Sequence, residues 1–334
     1  MDLEITGFWT GDSNRPEHGL LMSRPEMNLQ RGYHLIIGGR QTGKTTILKY
    51  LIAKQKEKDH NAPAAYVSLE DLVGIDGLSS SEFTQKVVGM VATSLDQPAL
   101  ASHSTYSSFL RSLPPDTTLA LDEFNHLAKF PNLFHALRSL AEDHRFHQKP
   151  TVFLADRTHP FDYMEAAASP WNIGEEHYLC TVSPEEVALF VRVAFESNNV
   201  SVTDGVIERI YSQTGGQPYL VNRVGIELVK LYYAGQEINL DSVDKVANKL
   251  YDDLDIHFRH LRNVLPRGDL ITVAGKLYSI LDGREVPFFR YDLGVLESHG
   301  VVERKEDRTG HVTAIIPGLL YQRLVKEILF QRRY

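Results

Sequence analysis

The stretch Gly38-Gly39-Arg40-Gln41-Thr42-Gly43-Lys44-Thr45 decides the fold, because it has the spacing of a loop that wraps a phosphate. It follows a short apolar run, Tyr33–Ile37, and precedes a helical pattern that begins at Thr45. Glycines let backbone N–H groups turn inward at the N-terminus of a helix, where the helix dipole favours an anion. In a chain of this length, such a match arises by chance on the order of one time in a hundred. We therefore predict a nucleoside-phosphate site between a strand and a helix.

Each residue type in this loop has an expected role. The Lys44 ammonium would reach the β- and γ-phosphates, and the Thr45 hydroxyl would hold Mg²⁺. Arg40 is a candidate phosphate or partner contact, although such a side chain more often points to solvent. The full set predicted to contact the nucleotide through the loop is Gly38, Gly39, Arg40, Gln41, Thr42, Gly43, Lys44, Thr45 and Thr46.

A second motif supplies carboxylates at the end of another apolar run, Thr118–Leu121. Asp122 would position Mg²⁺, and Glu123 would orient or deprotonate the attacking water. The alternative is a solvated acidic pair that caps the next helix. One extra strand, Ala64–Leu69, separates the two motifs, which is typical of the additional-strand branch of P-loop ATPases.

A third candidate follows the run Thr151–Ala155. If that strand lies beside the phosphate loop, Arg157 would sense or stabilise the γ-phosphate from within the same chain. The alternative is a surface arginine paired with Asp156.

Short apolar runs alternate with helical patterns as far as about residue 180, which predicts a parallel sheet covered by helices. A fifth strand is expected at His177–Thr181. From Ser183 the pattern becomes helical, with Ser183 as cap and Pro184 at the first position. After about His257 we expect two helices, a hairpin of Val301-Val302 with Val312–Ile316, and a last helix, Leu319–Phe330. That order suggests a winged helix.

Composition narrows the remaining possibilities. The chain has 334 residues, enough for two or three domains, and a net charge of −8, which argues against non-specific binding of nucleic acid. The single cysteine, Cys180, cannot form an internal disulfide, and the N-terminus lacks a secretory pattern. We expect a cytoplasmic protein with no membrane segment. His144 and His147 are read as a solvated helix end rather than metal ligands.

At these motifs the chain resembles the AAA-like ATPases of the STAND class, the signal-transduction ATPases with numerous domains. The resemblance also rests on Ser23-Arg24-Pro25-Glu26, on Ser169–Gly174 and on Gly216-Gln217-Pro218. It implies that Pro218 lies against the adenine base; the residues alone also fit a plain turn between helices. Gly216-Gln217-Pro218 stands where ring-forming AAA+ motors carry a sensor arginine, for which Arg223 would be only a shifted substitute, so a motor is less expected. Residues 316–319 replace the Met-His-Asp triplet by which many switch ATPases hold ADP.

The resemblance implies a fold and a function. We expect an α/β P-loop NTPase sheet of the additional-strand type at 1–180, an all-α lid at 181–253 and a winged-helix domain at 254–334. The function would be slow Mg²⁺-dependent hydrolysis of ATP to ADP in a nucleotide-controlled signalling switch. Its partners would be ATP, another protein and further copies of itself. The alternative is an initiator-like or transposition-helper ATPase that binds DNA through Arg304, Lys305 and Arg308 of the hairpin turn.

Overall fold

The computed structural model describes residues 32–72, 78–124, 132–143, 149–157, 174–179, 181–253, 255–265 and 270–331. Residue contacts divide the chain into two compact units. The described part of the sheet unit lies within 32–38 and 44–179. The described part of the C-terminal unit lies within 181–331, together with five residues of the phosphate loop, Gly39–Gly43.

The sheet unit is built on parallel strands, because its apolar runs are buried on both faces. The described strands are β1 Tyr33–Gly38, β2 Ala64–Ser68, β3 Thr118–Asp122, β4 Thr151–Asp156 and β5 Glu175–Leu179. Their order across the sheet is β2-β3-β4-β1-β5. The described helices of this unit are α1 Lys44–Lys58, α2 Ser80–Ser94, α3 Tyr106–Ser112 and α4 Asn132–Glu142, with short 3₁₀ turns at Glu70–Leu72 and Pro98–Ser102.

The side-chain alternation of β1 separates two cores. Leu35 packs with residues of α2, α3 and α4, whereas Ile36 packs with Leu48 and other residues of α1. The sheet is therefore covered on both faces. The strand order, with β4 between β1 and β3, confirms the predicted P-loop NTPase α/β fold of the additional-strand type.

The predicted fifth strand is wrong by two residues. It spans Glu175–Leu179 rather than His177–Thr181, and it pairs with β1 from His34↔Glu175 onward. The charged start of β5 was missed because β5 is an edge strand, whose side chains remain partly exposed and therefore need not be apolar. The predicted helix ending at His147 stops at Glu142 in the structure, and residues 144–148 lie outside the described part.

The C-terminal unit begins with helices α5 Pro184–Glu196, α6 Asp204–Thr214, α7 Pro218–Tyr233 and α8 Leu240–Asp252. The predicted cap of α5 is present: the Ser183 hydroxyl accepts from the Glu186 N–H, and the Glu186 carboxylate accepts from the Ser183 N–H. The remaining elements are α9 Ile256–Val264, α10 Leu270–Leu281, α11 Arg290–Ser298, the antiparallel hairpin β6 Glu303–Glu306 and β7 Val312–Ile315, and α12 Gly318–Gln331.

Two expectations for this region are corrected. Three helices, not two, precede the hairpin, and β6 begins at Glu303 rather than Val301. Val301 and Val302 are buried, and both N–H groups point to the Leu296 carbonyl, so they close α11 instead of pairing across the hairpin. Glu303 is itself buried and accepts hydrogen bonds from the Thr181 N–H and hydroxyl at 2.8 and 2.6 Å.

A backbone contact joins the break after α6 to the start of α12. Gly215 ends α6 in the left-handed conformation at φ +62°, and Gly318 starts α12 at φ +65°. A Cβ placed on Gly215 would lie 2.4 Å from the Gly318 nitrogen. Only glycine fits this approach.

Gly215→Ala is expected to lower the free energy of unfolding by about 2 to 4 kcal/mol, because it combines a left-handed backbone with overpacking. The measurement is urea unfolding followed by circular dichroism. Gly275→Ala is the matched control: Gly275 lies in α10 with open space around its Cα, so this change should be neutral or stabilise by up to about 1 kcal/mol. Equal stability of Gly215→Ala and the parent would refute the close approach.

Candidate nucleotide site

The phosphate loop leaves β1 and enters α1 in a conformation that its glycines permit. Gly43 has φ +92° and Gln41 has φ +63°. The Thr42 hydroxyl donates to the Gly39 carbonyl at 2.9 Å, and the Lys44 ammonium donates to the Gly38 carbonyl at 2.9 Å. Lys44 is thus held across the loop, at the N-terminus of α1, where an anion is favoured.

The predicted Mg²⁺ ligands lie next to each other. The Thr45 hydroxyl donates to Asp122 Oδ2 at 2.6 Å, and the Tyr66 hydroxyl donates to the same oxygen at 3.0 Å. Asp122 is buried, so the alternative of a solvated acidic pair does not describe it. A hydroxyl beside a carboxylate is the oxygen donor set that Mg²⁺ prefers. These residues therefore fit the ion.

The candidate water-directing residue has an unusual backbone. Glu123 has φ +55°, and its N–H donates to Asp122 Oδ1 at 3.1 Å. Left-handed backbone is uncommon for a residue with a side chain and concentrates at functional sites. Glu123 is half-buried. Its role in directing water stays a prediction from the sequence.

Three carboxylates surround the buried lysine. Burial lowers the pKa of Lys44, while Glu123, Asp122 and Asp156 act in the opposite direction. Asp156 ends β4, opposite Ile37 of β1, and no motif pointed to it. Burial raises the pKa of Asp156 to about 7, although its carboxylate accepts the Arg157 N–H at 2.5 Å. Arg157 is half-buried, with its backbone rather than its guanidinium bound to Asp156.

The tip of the loop belongs to the C-terminal unit. The Gln217 side chain donates to the Gln41 carbonyl at 3.2 Å. The Gln41 side-chain oxygen lies 2.5 Å from His257 Nδ1, and His257 Nε2 lies 2.6 Å from the Tyr321 hydroxyl. Burial lowers the pKa of His257 to about 3, so the ring is neutral. Nδ1 then donates to Gln41, and Nε2 accepts from Tyr321 in α12.

Not every predicted residue can be placed in this way. Pro218 is the first residue of α7, with Gln217 as its cap, so the Gly215-Gly216 pair is indeed a helix break followed by a proline-started helix. Arg40 and Thr46 are half-buried. The segments 23–26 and 169–173 lie outside the described residues. Sequence patterns missed Tyr66, His257 and Tyr321, because each acts through a partner distant in the chain and belongs to no spaced motif.

The sheet order, the phosphate loop and the acid at the end of β3 define a P-loop NTPase fold. Residues 30–156 match the AAA domain family. A search of the curated proteins finds no match to the chain.

Solved structures give the same fold. The Walker-type ATPase PABY2304 of Pyrococcus abyssi superimposes with a TM-score of 0.57 at 14% identity, over 97% of this chain and 99% of that one. The ORC2 protein of Aeropyrum pernix, solved in ADPNP-ADP complexes, gives 0.53 at 14% identity, over 100% and 97%. The RuvB Holliday junction branch migration motor of Thermotoga maritima gives 0.48 at 18% identity, over 88% and 87%. At these identities the likeness to the first two structures establishes the fold alone.

No helix among the described residues has both the length and the hydropathy that crossing a membrane requires.

The raised pKa of Asp156 predicts a pH-dependent stability. The unfolded chain releases this proton near pH 4, whereas the folded chain keeps it until about pH 7. Between these values the folded state binds more protons, so the contribution of Asp156 to stability falls as pH rises, by on the order of a few kcal/mol in total. Asp156→Asn should remove this fall and be relatively more stable at pH 8 than at pH 5.

Urea unfolding at pH 5, 6, 7 and 8 tests this prediction without nucleotide. Glu57→Gln, at an exposed position of α1, serves as control and should leave the difference from the parent constant with pH. A constant difference for Asp156→Asn as well would mean that Asp156 is already ionised at pH 5.

Proposed function

We propose that the chain is a slow, Mg²⁺-dependent ATPase that works as a nucleotide-controlled switch of the STAND type. The AAA domain match at 30–156 and the P-loop fold support ATP as the ligand. The absence of an Asn/Thr-Lys-x-Asp guanine-reading motif favours adenine over guanine. The signalling role rests on the resemblance and on the hydrogen bonds that link Gln41, at the tip of the phosphate loop, to His257 and Tyr321.

In the proposed reaction the protein acts mainly by positioning and electrostatics. Lys44 offsets charge on the β- and γ-phosphates, and the Thr45 hydroxyl and the Asp122 carboxylate hold the metal. Mg²⁺, when bound, neutralises charge on the phosphate oxygens. Glu123 orients the attacking water and accepts its proton, and Arg157 responds to the γ-phosphate. Pro218 lies against the adenine base, as the family resemblance implies.

The observation that carries the switch is the hydrogen-bond chain from Gln41 through His257 to Tyr321. Phosphate binding recruits the N–H groups of this loop, so any adjustment of Gln41 changes a buried chain that ends in α12. Both nitrogens of the buried, neutral His257 ring are hydrogen-bonded, and breaking these hydrogen bonds would leave buried polar groups unsatisfied, which is costly. The ring therefore has two defined states, one with the hydrogen bonds formed and one with them broken. ATP and ADP can therefore favour different states of the C-terminal unit, in proportion to their difference in affinity for each state.

The partners follow from this proposal. The input or output of the switch would be another protein, with nucleotide-dependent self-association as a further readout, in the cytoplasm. We interpret 181–253 as the lid and 254–334 as a winged helix. Three helices followed by the β6-β7 hairpin support the latter assignment.

The DNA-binding alternative has less support. Arg304 forms a two-pronged ion pair with Glu297 and lies over the Phe288 ring, so its charge is already matched. Lys305 and Arg308 are exposed, but Glu306 and Asp307 lie between them in the turn. No surplus of positive charge is left on the hairpin to hold a phosphate backbone.

Glu123→Gln is expected to bind ATP normally and to slow phosphate release by at least about 100-fold, because the amide cannot take the proton from water. Retained ATP is quantified after rapid gel filtration, and phosphate by a continuous assay. Lys44→Ala is the comparison: it should lose nucleotide binding altogether. Unchanged phosphate release in Glu123→Gln would remove Glu123 from the reaction.

The switch itself is tested by hydrogen exchange. Peptides from α12 should exchange differently with ATP, ADP and no nucleotide in the parent, and Gln41→Ala should shrink that difference by severing the link to His257. Gln236→Ala, at an exposed position after α7, should leave the difference intact. Identical exchange in all three nucleotide states would contradict the proposed switch while leaving ATP hydrolysis open to the Glu123 test.

A further inference from the structure

A cluster of metal-ligating side chains lies on the sheet away from the phosphate loop. His34 is the second residue of β1, and Glu175 and His177 are the first and third residues of β5. Because β1 and β5 pair in register His34↔Glu175 and Ile36↔His177, strand alternation places all three side chains on one face. From His34 to Gly38 the strand rises about 13 Å, so the cluster is separate from the Thr45–Asp122 pair.

The donor atoms stand close to the spacing that a small cation imposes. His34 Nδ1 lies 3.1 Å from His177 Nε2, and Glu175 Oε2 lies 3.7 Å from the former and 3.9 Å from the latter. A tetrahedral ion with bonds of about 2.0–2.2 Å holds neighbouring donors about 3.3–3.5 Å apart. The observed distances bracket that value, and small side-chain rotations would equalise them.

The surroundings favour ligation. His34 is 3% exposed and lies nearly parallel to the Phe153 ring, with centroids 4.8 Å apart, which holds its plane. The His177 side chain is 15% exposed. Glu175 is 64% exposed and adds one negative charge at the open side of the cluster. The site is therefore ordered on its inner side and open to an entering ion.

The donor set selects the ion. Two imidazole nitrogens and one carboxylate oxygen suit Zn²⁺ and similar first-row ions, whereas Mg²⁺ and Ca²⁺ prefer oxygen alone. Among the residues that the structure describes, this is the one group of three such side chains with all donor atoms within 4.8 Å of one another. In the sequence this site is visible only as Glu175-x-His177. The third ligand, His34, joins when β5 pairs with β1.

We propose that His34, Glu175 and His177 bind one zinc ion, with water completing the coordination, and that the ion ties edge strand β5 to β1. The competing state is a metal-free N–H···N hydrogen bond between the two imidazoles. The two states predict different results. Only the zinc site takes up one ion per chain, loses affinity when Glu175 is changed and gives the spectrum of a substituted ion.

The test uses the full chain without an affinity tag, stripped with chelator and kept in excess Mg²⁺ without nucleotide. Calorimetric titration with ZnCl₂ should give about one ion per chain, and Co²⁺ should show the intense visible absorption of a four-coordinate site. Glu175→Gln should weaken zinc binding at least about tenfold, and His177→Gln at least as much. The exposed position of Glu175 means that its variant should fold even if His177→Gln does not.

Glu176→Gln is the matched control, because Glu176 is the adjacent residue of β5 and faces the opposite side of the sheet. His311→Gln removes an exposed histidine elsewhere. Both should bind zinc like the parent. No zinc binding by the parent would overturn the proposal. So would binding that Glu175→Gln and His177→Gln leave unchanged, since zinc would then sit on other histidines.

Discussion

The placement of β4 between β1 and β3 is the constraint on which the rest of the sheet unit depends. Parallel pairing brings the carboxyl ends of these strands to one edge, so the loop after β1, Asp122 after β3 and Asp156 after β4 converge. The hydrogen bond from Thr45 to Asp122 spans 77 positions of sequence and follows from that strand order. Without that strand order the Thr45 hydroxyl and the Asp122 carboxylate, the oxygen donors proposed for Mg²⁺, would not meet.

Bringing these charged side chains together out of water has an electrostatic cost, which is seen in their pKa values. Lys44 is buried beside Asp122, Glu123 and Asp156, and the burial that lowers the pKa of the lysine raises that of Asp156. A nucleotide and its metal, bound here as we propose, would add both signs of charge, so the protonation of Asp156 and the occupancy of the site would be linked. In the C-terminal unit, the loop tip meets a different environment: Gln41 is bonded to a neutral imidazole that cannot respond to charge by titrating near pH 7. In the switch that we propose, the response there is a change of hydrogen bonds.

Strand β1 serves two purposes at its two ends. Its carboxyl end opens into the phosphate loop, and its amino end carries His34, which meets Glu175 and His177 of β5. An edge strand with a charged start pairs on one side only, so a cation held between β5 and β1 would reinforce the pairing where it is weakest. The two sites therefore lie on one strand and have no donor atom in common.

The sequence by itself determined the phosphate loop, the acidic pair after β3, the five-strand α/β fold and the helix break at Gly215-Gly216, because each is encoded in residues a few positions apart whose backbone requirements are local. Its errors fell where local pattern is weak: at the charged edge strand β5, in the number of helices between residue 256 and the hairpin, and at Val301-Val302, which close a helix although β-branched. Only the tertiary structure decided that Asp156 joins the lysine, that Gln41 reaches His257 and Tyr321, and that His34 meets Glu175 and His177. The partners in these contacts are 64 to 216 positions apart. Burial and strand register, which no local pattern specifies, set their distances and their charge states.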